Sequence, residues 1–176
     1  MGLTYAALNN TPLGSLTFIA GDHGLQEVVF SALHRVKEKS GGGDLKPSLL
    51  GLETLTELMK EMNAYLVGLR KSFSVKVNWT LVSGFQARVL KRTAAIPYGE
   101  VLTYGQIASE LGQPGASRAV GRTLGTNPMP VVIPCHRVIG QDRCLRGYIG
   151  GVDKKAFLLT LEGHSIDHER IKSLDE

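Results

Sequence analysis

The chain has 176 residues and a mass of 19.0 kDa, and 43% of its residues are hydrophobic, enough for one domain or two small ones with a sizeable core. Its two cysteines are too few for a disulfide framework or a cysteine-rich zinc site, and no apolar run reaches the roughly 18 residues of a membrane span. The N-terminus lacks a secretory signature, so we expect a globular protein, cytoplasmic or associated with the nucleoid, with no membrane partner. A net charge of +4 permits a polyanionic partner without requiring one.

The first part of the chain is predicted to contain an antiparallel sheet. Apolar residues alternate in three segments of the first thirty residues, separated by glycine-containing turn sequences, and this pattern predicts three short strands joined by hairpins. The alternating residues are Leu3, Tyr5 and Ala7, then Leu16, Phe18 and Ala20, then Val28 and Phe30.

The sheet is followed by a predicted loop, a helix and a further strand. Residues from Lys37 to Ser48 show no periodic apolar signal, which predicts a mobile surface loop. Apolar residues from Leu52 to Leu69 recur at helical spacing and predict an amphipathic helix that ends near Gly68. Strict alternation from Phe73 to Trp79 predicts the strand.

The second half of the chain is predicted to be mainly helical. One helix is expected from Ser83 to Ala95. Thr103 and Gln106 match a capping box, so a short helix is expected to begin there. A turn at residues 112–115 leads to a second helix of small residues at 116–124, and the order helix, turn, helix is the helix-turn-helix plan.

The second helix of this pair carries a surface suited to a polyanion. Ser117, Ala119 and Gly121 are short and allow a close approach, while Arg118 and Arg122 supply positive charge. Small residues also serve tight packing between helices, so the pattern is compatible with DNA contact and with ordinary packing.

A thiol follows an apolar run in this half of the chain. Val131-Val132-Ile133 leads into Pro134, which predicts a buried strand that stops abruptly and presents Cys135 at its end. A free cysteine has a pKa of ~8.5 and needs a base to become nucleophilic, and His136 is the obvious candidate. Neighbouring residues of an extended segment point to opposite faces, so their cooperation requires a turn after Pro134 or a bridging water.

The imidazole also needs a group that orients it, and a carboxylate is the usual choice. Spacing alone leaves four candidates open, Glu162, Glu100, Asp142 and Asp153. No Cys or His pair has the spacing of metal ligands, so neither a metal nor another cofactor is predicted. The structural alternative is a buried core thiol beside a hydrogen-bonded histidine.

The C-terminal residues predict a loop, a helix and a tail. Residues 141–151 are rich in turn formers, and a helix is expected from about Asp153 to Leu161, with Gly163 as its cap. The charged tail at 164–176 is predicted to lie on the surface or to fray.

Several motifs resemble those of the O6-alkylguanine DNA alkyltransferases, also called methylated-DNA protein-cysteine methyltransferases. The similarity runs from about Phe85 to Gly163. In chain order the matching motifs are Ile96-Pro97-Tyr98-Gly99-Glu100, Thr103-Tyr104-Gly105-Gln106, Ser117-Arg118-Ala119-Val120-Gly121, Asn127-Pro128, Pro134-Cys135-His136-Arg137-Val138, Gly147-Tyr148 and Gly150-Gly151.

The resemblance implies a role for each matched residue of the reaction centre. Cys135 would be the alkyl acceptor, and His136, through a water, and Glu162 would form the relay that generates the thiolate. Asn127 would tie the recognition helix to the active-site segment. Tyr104 would assist extrusion of the base and protonate the leaving guanine.

The same resemblance implies the DNA contacts and the substrate pocket. Arg118 would enter the duplex from the minor groove and fill the space left by the flipped base. The implied DNA contacts are Arg118, Ser117, Ala119, Gly121, Arg122 and Thr103. The implied pocket residues are Tyr104, Pro134, Val138, Tyr148 and Ile149.

The expected fold is α/β, with two domains. Residues 1–80 would form a ribonuclease H-like antiparallel sheet with a helix, and residues 81–176 a mainly helical domain with the helix-turn-helix. The protein would act as a monomer on double-stranded DNA containing O6-alkylguanine. An alkylated cysteine is a thioether that water cannot hydrolyse, so each molecule would act once.

Three residues at two places in the chain depart from the family pattern, and two other functions compete with it. Leu90 stands where relatives often have tryptophan, and Arg143-Cys144 replaces a more usual glycine and small residue. A protein that only binds DNA would not need Cys135. A cysteine hydrolase would turn over repeatedly, but its histidine usually lies far away in sequence.

Overall fold

The computed structural model describes residues 2–33 and 48–172, so the loop predicted for residues 37–48 lies outside the described part except for Ser48. The chain forms two compact units that divide between Leu81 and Val82. The sequence prediction had placed the boundary one residue earlier. Within the described ranges, no helix is both long enough and apolar enough to cross a membrane.

The first unit contains the predicted three-stranded antiparallel sheet. Its strands are β1 (Leu3–Thr11), β2 (Gly14–Gly21) and β3 (Gly24–Val29), hydrogen-bonded in that order. Phe18 and Ala20 in the central strand are fully buried. The alternating pattern and the hairpin turns therefore predicted this sheet correctly.

Helix α1 (Leu49–Leu66) packs on the sheet, but its ends differ from the prediction. It begins three residues early because Ser48 caps it, with Ser48 Oγ accepting the Gly51 N–H at 2.8 Å. Leu69 is wrongly placed in the helix by the sequence pattern, since it follows Gly68 at a φ of 77° and is 84% exposed. The residues on the buried face are Leu55, Leu58, Met62, Tyr65 and Leu66.

The strand predicted from Phe73 to Trp79 is wrong. Val77 forms an isolated bridge with Leu25 of β3, beside which Asn78 donates its N–H to Leu25 O at 2.8 Å. Residues Trp79–Leu81 then form a 3-10 turn. Exposure does alternate from residue 73 to 77, but alternation reports burial on one side and does not supply the run of backbone partners that a strand needs.

The second unit is mainly helical, as predicted. Among the described residues its helices are α2 (Gly84–Ala94), α3 (Tyr104–Glu110), α4 (Ser117–Gly125) and α5 (Val152–Leu161). The capping box is present, because Gln106 donates its N–H to Thr103 Oγ1 at 3.1 Å and Thr103 donates its N–H to Gln106 Oε1 at 2.7 Å. Helix α3 therefore starts where the sequence predicted.

A short parallel strand pair brings distant parts of this unit together. Strand β4 (Leu102–Thr103) pairs with β5 (Val138–Ile139), in the register Leu102 to Val138. The pairing places the beginning of α3, at Tyr104, beside the segment that follows Cys135.

The described residues of the C-terminal tail lie mostly on the surface, as predicted, but they are paired and anchored and not frayed. Strands β6 (Ile166–Asp167) and β7 (Arg170–Ile171) form an antiparallel pair. Ile171 is 6% exposed and belongs to a buried cluster with Ile139, Leu145 and Leu159. Because the segment is rich in charged residues, the sequence pattern did not indicate that Ile171 anchors it in the core.

Candidate active site

Cys135 lies in a turn and not at the end of a strand. The strand predicted for residues 131–133 is wrong, because residues 131–132 turn the chain and Val131 has a φ of 73°. Cys135–Arg137 then form one turn of 3-10 helix, in which Arg137 donates its N–H to Pro134 O at 2.9 Å. With three residues per turn, neighbouring side chains project about 120° apart and not to opposite faces. A turn after Pro134, one of the two arrangements that would let Cys135 and His136 cooperate, is therefore present.

Asn127 connects the end of α4 to this turn. Its side chain is completely buried, and Nδ2 donates to Ile133 O at 2.9 Å and to Cys135 Sγ at 3.1 Å. Its Oδ1 accepts the Met129 N–H at 3.1 Å. Asn127 thus holds both the backbone before Cys135 and the thiol itself.

Among the four candidate carboxylates, Glu162 is the one beside the histidine. His136 Nε2 lies 3.0 Å from Glu162 Oε1, and both side chains are fully buried. Glu100, Asp142 and Asp153 are exposed. The choice that spacing left open is therefore made by α5, which ends at Leu161 and places Glu162 against the turn.

The positive charge of Arg137 offsets the free-energy cost of burying the Glu162 carboxylate. Arg137 Nε donates to Glu162 Oε2 at 2.9 Å and Nη2 donates to Oε1 at 2.8 Å, while Nη1 donates to Ile96 O at 2.5 Å. Gly99 adds a backbone N–H to Oε2 at 3.1 Å. A carboxylate at a helix C-terminus meets the negative end of the helix dipole, and these donors offset that cost.

The resting protonation states leave a neutral thiol beside a neutral base. Burial raises the pKa of Cys135 to about 11, although the Asn127 hydrogen bond and the Lys155 charge act in the opposite direction. Burial also lowers the pKa of His136, with Glu162 opposing the shift. A neutral imidazole is able to accept a proton, which a buried thiol with so high a pKa has to lose before it reacts.

Lys155 is a member of this site that the sequence analysis missed. It is completely buried in α5, where Nζ donates to Val138 O at 2.6 Å and to Leu145 O, and lies 5.9 Å from the centre of the Tyr104 ring. Burial lowers the pKa of Lys155 to about 8, although the neighbouring Cys135 acts in the opposite direction. Helical spacing offered a signal, because residue 155 shares a face with Leu158, Leu159 and Glu162.

A cavity of about 240 Å³ opens onto Cys135. Helix α4 forms one wall, and the other comes from the loop at 147–149, so Tyr148 and Ile149 of the predicted pocket line it. Tyr104 lies next to α4, with its ring 3.7 Å from where a Cβ on Gly121 would stand. Pro134 and Val138 are buried on either side of the turn and do not line the cavity.

Sequence comparison places these residues in a known family. Residues 84–164 match the family described as 6-O-methylguanine DNA methyltransferase, DNA binding domain. A Methanosarcina acetivorans protein named methylated-DNA–protein-cysteine methyltransferase is 40% identical over 159 residues, which cover 90% of this chain and 98% of the relative. The chain belongs to this family.

Solved structures of methyltransferase relatives have the same fold. The crystal structure of the Mycobacterium tuberculosis O6-methylguanine methyltransferase has a TM-score of 0.73 and 34% identity, covering 91% of this chain and 92% of that one. A crystal structure of the Mycobacterium tuberculosis protein in complex with DNA has a TM-score of 0.73 and 34% identity, covering 90% and 92% of the two chains.

The predicted DNA-contact residues of this methyltransferase lie on or near α4. Arg118 and Arg122 are exposed, whereas Val120 and Leu124 are buried on the inner face. Ser117, Ala119 and Gly121 are partly exposed, and Thr103 caps the preceding helix, α3. The two arginines therefore share the side of α4 that is turned away from the core.

The two departures from the family pattern have different structural consequences. Leu90 is completely buried in α2, where it fills core space. Arg143 has a φ of 62°, a conformation that suits the glycine more usual in the family and costs an arginine on the order of 1 kcal/mol. Its carbonyl accepts the Ile171 N–H at 3.1 Å, which helps to hold the strained residue in place.

Proposed function

We propose that this protein repairs O6-alkylguanine in DNA by transferring the alkyl group to Sγ of its own Cys135. The observation that carries the proposal is the buried pair of His136 and Glu162, whose Nε2 and Oε1 atoms are 3.0 Å apart. His136 directly follows Cys135, whose thiol faces a cavity. Three residues of α4, a helix with exposed arginines, line the cavity, which suits a substrate presented by DNA.

The transfer is an in-line displacement at the alkyl carbon. The thiol proton passes through a water to His136, whose imidazolium is stabilised by Glu162. Sγ of Cys135 then forms the new S–C bond while the bond from carbon to guanine O6 breaks. The product is a thioether without a carbonyl that water could attack, so each molecule acts once.

Tyr104 donates the proton that the leaving guanine needs. Burial, together with the neighbouring Cys135, raises the pKa of Tyr104, so the phenol is protonated at neutral pH. His136 then returns the thiol proton to the Tyr104 phenolate, so the protons balance. Tyr148 and Ile149 line the guanine pocket, where Ile149 acts through its backbone.

The target base has to leave the duplex before Cys135 can reach it. We assign α3 and α4 to a helix-turn-helix whose second helix enters the minor groove, with Arg118 filling the space of the extruded base. Ser117, Ala119 and Gly121 allow close approach, while Arg122 and Thr103 contact the backbone. Affinity is then strongly salt-dependent and only weakly sequence-dependent, because phosphate contacts and deformability dominate it.

Three finer assignments accompany this function. The sheet and α1 of the first unit form a ribonuclease H-like domain, supported by the antiparallel order β1-β2-β3 with a helix packed on it. The protein acts as a monomer, since one chain contains the thiol, the relay and the arginines. Its location is the cytoplasm or nucleoid, where the substrate DNA is.

The proposal is tested by incubating the protein with a duplex oligonucleotide containing O6-methylguanine. Mass spectrometry is expected to find one added methyl group, on the peptide that contains Cys135. Cys135→Ala is expected to abolish transfer, while the matched control Cys144→Ala transfers normally. Methyl transfer by Cys135→Ala, or more than one equivalent of repaired guanine per protein, would overturn the proposal.

The same samples distinguish the proposed function from that of a protein that binds DNA without transferring the alkyl group. Such a protein would bind the damaged duplex and leave its methyl group on guanine after full saturation. A cysteine hydrolase would release product repeatedly from an acyl ester, and the proposed chemistry predicts no such turnover.

A further inference from the structure

Lys155 is a buried cation whose position is unfavourable in the resting protein. Its side chain is 0% exposed, at the fourth residue of α5, where the positive end of the helix dipole also disfavours a cation. Among the described residues it forms no ion pair with a carboxylate, and the only charge that raises its pKa is that of Cys135. Buried ammonium groups are normally paired, so packing alone does not account for this placement.

The hydrogen bonds of Lys155 do not account for its charge either. Nζ donates to Val138 O at 2.6 Å and to Leu145 O, while the centre of the Tyr104 ring lies 5.9 Å away. An ammonium has three N–H donors, and among the described residues these two carbonyls are its only acceptors. Neutral carbonyls are also satisfied by a neutral donor, so the positive charge has no partner at rest.

The reacting thiol is the group that gains a charge beside Lys155. Burial raises the pKa of Cys135 to about 11, and among the described residues Lys155 is the only charged group that lowers it, together with the neutral Asn127 amide. His136 instead has Glu162 at 3.0 Å, and this carboxylate opposes the lowering of the His136 pKa by burial and by Lys155. After the relay has taken the thiol proton, the imidazolium and the thiolate therefore each face an opposite charge.

We propose that Lys155 is the counter-ion of the Cys135 thiolate, held buried and unpaired until the thiolate forms. The inference rests on the proposed function, because it concerns the thiolate that attacks the alkyl carbon. Lys155 keeps its proton throughout, so the bonds that form and break are those of the proposed transfer. An interaction that appears only when charge develops lowers the barrier to transfer without strengthening the binding of the substrate.

The proposal is tested by alkylating Cys135 with iodoacetamide below the pKa of Lys155, in the full chain with Cys144→Ala. Lys155→Met is expected to slow alkylation about 10-fold or more, because loss of the cation raises the pKa of Cys135 and lowers the thiolate fraction. A purely structural lysine predicts the opposite sign, since loosened packing would expose the thiol and speed alkylation. Lys154→Met is the matched control and is expected to react at the parent rate. Unchanged or faster alkylation of folded Lys155→Met would overturn the proposal.

A second measurement needs no substitution of Lys155. In the Cys144→Ala chain, iodoacetate gives Cys135 an anionic side chain, whereas iodoacetamide gives it a neutral one of similar size. The pKa of Lys155, followed by NMR of its ε-carbon, is expected to be higher in the anionic form by about 1 or more. Equal values in the two forms contradict the proposal. Failure of the wild-type protein to take a methyl group from DNA would instead remove the proposed function and leave both alkylation results unaffected.

Discussion

The proposed relay around Glu162 is buried and hydrogen-bonded within the protein, whereas the outer face of α4 is exposed to solvent. Glu162 is fully buried and receives hydrogen bonds from Arg137 and Gly99, with His136 alongside. Arg118 and Arg122 extend into solvent from a helix whose other face forms the contacts with the core. Changes in the relay should therefore cost stability and chemistry together, whereas changes on α4 should affect DNA alone.

Loss of Glu162 is expected to have the largest effect. Glu162→Ala leaves Arg137 buried without its carboxylate, which is expected to lower the free energy of unfolding by roughly 3–5 kcal/mol. Transfer is also expected to slow at least 100-fold, measured by single-turnover kinetics under conditions where the variant is folded. Glu100→Ala, at an exposed carboxylate, is the control, and an equal loss from both variants would contradict the assignment of the relay.

Titration of Cys135 is expected to show the next largest effect. In a Cys144→Ala background, the rate of alkylation by iodoacetamide should rise with pH toward an inflection near 11, because burial raises the pKa of Cys135 to about 11. Relative to an ordinary thiol with a pKa of ~8.5, this is a preference of roughly 3 kcal/mol for the protonated form. An inflection at or below the ordinary value would show that burial does not dominate the pKa of Cys135.

Lys155→Met is expected to have an intermediate effect. The substitution removes donors to Val138 O and Leu145 O and is expected to lower the free energy of unfolding by about 1–3 kcal/mol in urea titrations. Lys154→Met, at the neighbouring position of α5, is the control. Equal stability of both variants would mean that the two carbonyls find other donors.

Arg118→Ala is expected to have the smallest effect on folding. Its unfolding free energy should change by less than about 0.5 kcal/mol, as for other exposed positions. Transfer from duplex DNA should slow about 10-fold or more, while transfer from a single-stranded oligonucleotide should change little because no base has to be extruded. Normal repair of duplex DNA by the variant would remove the role proposed for this side chain.

The sequence predicted local features better than it predicted pairing. The capping box at Thr103, the helix at α4 and the hairpins of the first sheet depend on residues a few positions apart, and they were found as predicted. The prediction of a strand at residues 73–79 failed because the alternation specified a more exposed and a more buried side but did not specify a neighbouring strand to pair with. The strand before Cys135 failed because a turn at Val131 is not visible in a run of β-branched residues.

By itself, the sequence determined which residues have the chemical groups needed for nucleophilic attack and for contact with DNA. It placed a thiol, an imidazole and a guanidinium in adjacent positions and set short side chains beside arginines on one helix, since such patterns lie within one or two turns of chain. Only the tertiary structure decided which carboxylate serves His136, because Glu162 is 26 residues away and reaches it through the packing of α5. It also placed Lys155 in the site, since a buried cation is tolerated only where the fold brings carbonyl oxygens to it.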